Sequence, residues 1–77
     1  MANDVRIRIA AEVRAEMARK SKTQRDMAAL LNIDQPSVSL RLRGERSFRA
    51  EELVAIAEWL GVPVGRFMPD AAATTTH

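Results

Sequence analysis

The sequence predicts an all-α fold, a compact bundle of five helices of which the last is a single turn. Three observations carry that expectation. Apolar residues recur at three- and four-residue spacing in successive segments. No segment sustains the alternation of a strand, Val5, Ile7 and Ile9 coming closest. The three glycines and three prolines fall between the periodic segments.

The first helix is expected from about Asp4 to Arg19. Val5, Ile9, Val13 and Met17 recur every four residues with Ala10 beside them and make one apolar stripe, while Ile7 falls off it. Arg19 and Lys20 stand in the last turn, where cations suit the helix dipole. The second helix starts at Thr23, an N-cap residue that Asp26 can answer three positions on. Met27, Leu30 and Leu31 form its apolar face, and Asn32 stops it by accepting the left-handed conformation of a tight turn. The third helix starts at Asp34, with Pro36 in the first turn where a missing N–H is harmless. Val38 and Leu42 share a face, and Gly44 ends the helix. In the fourth, Leu53, Ile56, Ala57 and Leu60 follow the i, i+3, i+4, i+7 rule, and Gly61 closes it. Its start is either Arg49, with Glu52 as capping acid and Phe48 stapled to Leu53, or Ser47. Pro63 opens the last turn, from Val64 to Met68. Residues 1–69 thus read as one domain, and residues 70–77, small and polar, as a disordered tail.

Size and composition narrow the functions. A chain of 77 residues, 47% hydrophobic, is one domain with one modest core. It has no cysteine, and its one histidine is the last residue. Disulfides, metal sites and His-based triads are therefore not expected. Ser37 and Ser39 have no base arranged beside them, and there is no glycine-rich phosphate loop, so neither an enzyme nor a cofactor is expected. No apolar run is long enough to span a membrane, and the first residues lack a signal peptide's apolar block, which makes the cytoplasm the expected compartment.

The net charge of +2 conceals a division. Between Arg19 and Arg49 eight cations face three carboxylates, whereas from Ala50 onward four carboxylates face Arg66 alone. A basic middle suits a polyanion partner, and equally an ordinary solvated surface. Glu51, Glu52 and Glu58 read as surface acids.

The stretch from Thr23 to Gly44 is the informative one. Two short helices are joined by a tight turn. Ala28 is small enough to let the second helix approach the first, and Asn32 suits the turn. Ile33 and Val38 can lock the crossing angle. The outer face of the second helix carries Gln35, Ser37, Ser39 and Arg41, groups able to bond base edges.

This stretch resembles the lambda-repressor-like (Cro/repressor, Xre-type) helix-turn-helix DNA-binding family. Thr23-Gln24, Met27-Ala28, Leu30-Leu31, Ile33, Gln35, Val38-Ser39 and Arg43-Gly44 occupy its pattern. Leu53, Ile56, Ala57, Leu60, Gly61-Val62-Pro63 and Phe67 resemble its later helices, so the likeness runs from residue 5 to 68. It implies a transcriptional regulator, a repressor first of all, that binds double-stranded DNA in the major groove. Gln24 would contact a phosphate and brace Gln35, which would pair with adenine. Pro36, Ser39 and Leu40 would lie in the groove, and Arg43 and Arg46 near the backbone, with Arg49 on the same basic flank. Three residues depart from the pattern. Asn32 stands for glycine, Arg41 for an apolar core residue, and Leu40 for a polar or basic reader. Leu40 is left open between a thymine methyl, the core and a dimer surface.

Useful specificity normally calls for a homodimer, for which Trp59, Val64, Phe67 and Met68 are the candidate contacts, a monomer cooperating with a partner being the alternative. Trp59 reads equally as an edge of the core. Two other functions fit the same residues. One is the antitoxin of a toxin–antitoxin pair, docking its toxin on the acidic last third. The other is a protein-interaction adaptor that has lost DNA binding, which the retained Gln24, Gln35 and basic flank argue against.

Overall fold

Local chemistry sets where each helix starts and stops, and the computed structural model, which describes residues 2–68, shows where each boundary falls. There are four α-helices: α1 (Ala2–Arg19), α2 (Gln24–Leu31), α3 (Gln35–Leu42) and α4 (Ala50–Leu60). The expected fifth helix is instead one 3-10 turn, Val64–Phe67. Pro63 fixes its entry, and four residues are too few to close a second α turn. No strand occurs among the described residues. The tail expected at residues 70–77 lies outside them, as does Pro69.

The starts follow the capping residues. The Asp26 N–H donates to the Thr23 hydroxyl at 3.1 Å, and the Thr23 N–H donates to the Asp26 carboxylate at 2.9 Å, a complete capping box on α2. On α3 the Ser37 N–H donates to the Asp34 carboxylate at 2.8 Å, with Pro36 second in the helix. Arg49, not Ser47, is the residue before α4, and its N–H donates to Glu52 Oε1 at 2.9 Å. The start of α1 comes two residues earlier than the stripe implied.

The four helices stop alike. Each is followed by a residue in the left-handed region, Ser21 (φ 57°), Asn32 (57°), Gly44 (78°) and Gly61 (73°). The next N–H then reaches back five positions. Lys22 donates to the Met17 carbonyl at 2.9 Å, Ile33 to Ala28 at 3.1 Å, Glu45 to Leu40 at 3.0 Å and Val62 to Ala57 at 3.0 Å. Carbonyls that helix ends leave open are satisfied this way. Gly44 has a second reason to lack a side chain. A Cβ there would lie 3.1 Å from Ile7 Cα, so α1 packs directly against the turn that follows α3.

The core draws on every element. Val13 of α1, Met27 of α2, Val38 of α3, Ile56 and Leu60 of α4 and Phe67 of the 3-10 turn are its largest fully buried side chains. Burying each contributes about 1.5–3 kcal/mol, the main force holding so small a domain. Ile7, off the stripe of α1, is half exposed, as its position predicts. Two charged residues also lie inside. Glu16 is 3% exposed and Arg41 9%. One Glu16 oxygen accepts Nη1 of both Arg19 and Arg66 at 2.6 Å, which ties the 3-10 turn to α1. Phe67 is wholly buried, which withdraws it from the proposed dimer contacts. Trp59, Val64 and Met68 are half-buried and rest on the core's edge. Among the described residues no helix is long and apolar enough to cross a membrane.

Candidate nucleic-acid interface

A short helix can present a reading face only if its other side is held. On α3 the held side consists of Val38, Arg41 and Leu42, all buried. At 3.6 residues per turn these three share one face. Pro36, Leu40 and Arg43 then lie most nearly opposite, flanked by Ser37 and Ser39, with Gln35 at the open first position of the helix. Gln35, Pro36 and Arg43 are exposed, and Ser37, Ser39 and Leu40 half-buried. Against the inner side stand Met27, wholly buried, and Ala28 and Ile33, which pack on the same core. Ala28, Ile33 and Val38 thus stand where the crossing of α2 and α3 requires them.

Arg41 is the correction to the expected face. It points inward, its Nε 3.0 Å from Glu52 Oε1 and its Nη2 3.3 Å from Glu52 Oε2. A third bond runs from its Nη1 to the Ser37 carbonyl at 3.1 Å. Glu52, read as a surface acid, is its partner, with the two side chains only 10% and 12% exposed. The pair fastens α3 to the start of α4, because the same carboxylate also holds the Arg49 N–H. The Arg41 guanidinium is therefore turned away from the outer face on which the sequence placed it. A second support escaped the sequence reading altogether. Arg14 of α1 donates from Nη1 to the Leu42 carbonyl, closing the end of α3 from below.

The remaining cations surround the face. Gln24, the first residue of α2, and Arg25 beside it are exposed. Arg46 is exposed and has no ion pair among the described residues. Arg43 pairs with Glu45 at 3.1 Å, both side chains 57% exposed, and Arg49 lies 3.9 Å from Glu51 in the open. Such solvated pairs hold their partners weakly and release them to a stronger anion. Lys22 is turned aside, its Nζ 5.3 Å from the centroid of Trp59. Among the described residues no group of carboxylates or other ligating side chains is placed to hold a metal ion.

The carboxylates in the caps of α2 and α3, Asp26 and Asp34, titrate. Hydrogen bonds from the Thr23 backbone and hydroxyl, then the charges of Lys22 and Arg25, hold the Asp26 carboxyl below its ordinary value. The Ser37 hydroxyl and N–H do the same for Asp34, with help from Arg41 and Arg46. A depressed folded value means that the stabilisation is complete above about pH 4, the ordinary aspartate value, and drains away as the pH falls through the lower folded one. Asp34→Asn keeps a capping acceptor but no titratable group. Thermal melts from about pH 6 down to about pH 2 should therefore show a shallower acid loss for this variant than for the wild type. Parallel acid limbs would show that the Asp34 carboxylate contributes nothing to them.

A family model described as helix-turn-helix matches residues 13–67, from the middle of α1 to the end of the 3-10 turn. Among curated proteins none matches the chain significantly.

Proposed function

The chain belongs to the Cro/C1-type, lambda-repressor-like helix-turn-helix family of DNA-binding transcriptional regulators, and we propose that it is a repressor that reads duplex DNA by laying α3 in the major groove. The observation that carries this reading is the division of α3. One side is locked to the core and to Glu52, and the other offers Pro36, Ser39, Leu40 and Arg43 to an incoming surface, with Gln35 exposed at the first position of the helix. Gln35 has the paired donor and acceptor that match adenine. Gln24, Arg43, Arg46 and Arg49 serve phosphates, fixing register without reading sequence. Ser37 takes the flank of the groove contact, and Arg41 acts only by holding the helix.

A single α3 reads few base pairs. The repressor therefore works as a homodimer on half-sites about 34 Å apart, with Trp59, Val64 and Met68 available at the edge of the core. Its place is the cytoplasm, on the nucleoid. An antitoxin role has one observation in its favour. Val54, 43% exposed, lies with Glu51 and Glu58 on one outer face of α4, an acidic and apolar surface of the kind a basic protein partner would cover.

Selection of bound duplexes from a random pool, at low and at moderate salt, tests the proposal. The wild type should enrich an inverted repeat and bind it with a steep salt slope, since each neutralised phosphate releases counterions. A Gln35→Ala, Arg43→Ala double variant should bind that repeat at least about tenfold more weakly, because one good bidentate base contact is worth about 1–3 kcal/mol. Both side chains are exposed, so the variant keeps its fold. No enrichment over the variant, even at low salt, would overturn the regulator reading and favour a protein partner.

A further inference from the structure

We propose that a cavity between α1 and the 3-10 turn is a binding site for a small zwitterion, an α-amino acid with a short aliphatic side chain. The inference does not rest on the DNA-binding reading, because no residue of α2, α3 or α4 lines the cavity.

The cavity has a volume of about 90 Å³ and is lined by Arg8, Ile9 and Glu12 of α1 and by Arg66 and Phe67 of the turn. One water takes about 10–15 Å³ of such space, so the room suits roughly six to nine non-hydrogen atoms, the size of a valine. Its lining has three kinds of chemistry. Ile9 is half-buried and packs on the core, with Phe67 wholly buried behind it, so the inner wall is apolar. Arg8 and Arg66, both exposed, bring two guanidiniums to the rim. Glu12, also exposed, brings one carboxylate. Arg66 commits Nη1 to Glu16 at 2.6 Å, which anchors the group and leaves other donors of its fork for a second carboxylate.

The charges at the rim are not spent on one another. Arg8 and Glu12 stand four apart on α1 and have no ion pair among the described residues. Arginine before glutamate is the less favourable order for such a pair. Both instead border the same cavity from one helix, and Arg66 borders it from the turn. Two cations, one anion and an apolar wall match a carboxylate, an ammonium and an aliphatic side chain carried on one carbon. A plain carboxylate would leave Glu12 without a partner, and a plain amine would leave both arginines without one. Glu16 does not compete for the ammonium, because its carboxylate is buried and already taken by Arg19 and Arg66. The rim is solvated, so each charge contact is worth about two- to fivefold in affinity and binding is of millimolar strength.

Titration of the isotopically labelled full chain with L-valine, followed by backbone amide shifts, tests the proposal. Shifts should saturate in the millimolar range and centre on Arg8, Ile9, Glu12, Arg66 and Phe67. Isovalerate, which lacks the ammonium, and isobutylamine, which lacks the carboxylate, should each bind about two- to fivefold more weakly. Glu12→Gln should weaken valine by the same factor and not weaken isovalerate. Arg8→Gln should weaken valine and isovalerate alike and not weaken isobutylamine. Both residues are exposed, so the variants keep their fold, and a merely structural role would not discriminate among the three ligands. Shifts that grow linearly without saturating, or that saturate on another surface, would overturn the site. Equal affinity for valine and isovalerate, or a Glu12→Gln variant that binds valine like the wild type, would overturn the zwitterion.

Discussion

Replacing Glu52 with leucine should destabilise the protein by about 3–5 kcal/mol, and replacing Arg41 with leucine at the same time should return most of the loss. The two side chains meet with both oxygens engaged, at 3.0 and 3.3 Å, about nine-tenths withdrawn from water. Removing the carboxylate alone leaves a guanidinium buried beside leucine with only the Ser37 carbonyl for company. It also frees the Arg49 N–H that Glu52 holds at the start of α4. A domain of this size has about 5–10 kcal/mol in all, so the single variant should be largely unfolded on modest warming. The double variant removes both charges from a site already flanked by Leu42 and Leu53, where two leucines can pack. Urea denaturation of the wild type, the two single variants and the double variant gives the coupling directly. A Glu52→Leu loss below about 1 kcal/mol would mean that the pair is solvated and that α3 is held by its apolar contacts alone.

That pair also marks where the sequence is easy and where it is hard to read. Thr23 with Asp26, Asp34 with Pro36, and Asn32 are legible because capping is a conversation within four residues. The apolar stripes are legible for the same reason, except at Leu30, which the expected apolar face of α2 included and which is 37% exposed because it falls outside the arc that Met27 and Leu31 turn to the core. Arg41 carried two opposed signals. Its charge argued for the surface, and its position, three after Val38 and one before Leu42, argued for the core. Glu52 carried the same conflict, one before Leu53 and four before Ile56. Each alone belongs outside, and only their meeting across α3 and α4 allows both inside, a fact no local window contains. Glu16, three after Val13 and one before Met17, repeats the case, with Arg66 as its distant partner fifty positions away. A carboxylate or arginine on an apolar stripe is thus a signal to search for its opposite on another stripe. Ser21 was illegible in another way, because serine in the left-handed region is costly and only the completed turn to Met17 repays it. The outward residues Gln35 and Pro36 needed no such partner, since both are exposed to solvent.

Phe67→Ala should cost about 3–5 kcal/mol, as much as breaking the buried pair, although Phe67 belongs to a four-residue turn near the end of the described chain. The expectation follows from where the ring goes. It is wholly buried in the one core the domain has, and the turn that carries it packs against both α1 and α4. The Arg66 bond to Glu16 at 2.6 Å holds that turn down beside it. Alanine there would leave a cavity the size of a ring, in a core whose other large members come one or two from each helix. Trp59→Ala makes the contrast. Trp59 is half-buried at the edge, as is Lys22 that rests over its ring, and a contact of this kind is worth about 0.5–2 kcal/mol. Melting temperature and sedimentation, measured together, separate the two roles. Trp59→Ala should melt a few degrees lower and, if α4 and the turn form the dimer surface, sediment as a lighter species. Phe67→Ala should lose its cooperative transition before its state of association can be asked about. A Phe67→Ala protein that melts like the wild type but sediments as a monomer would return the ring to the surface. It would also make the 3-10 turn a docking arm rather than the last stone of the core.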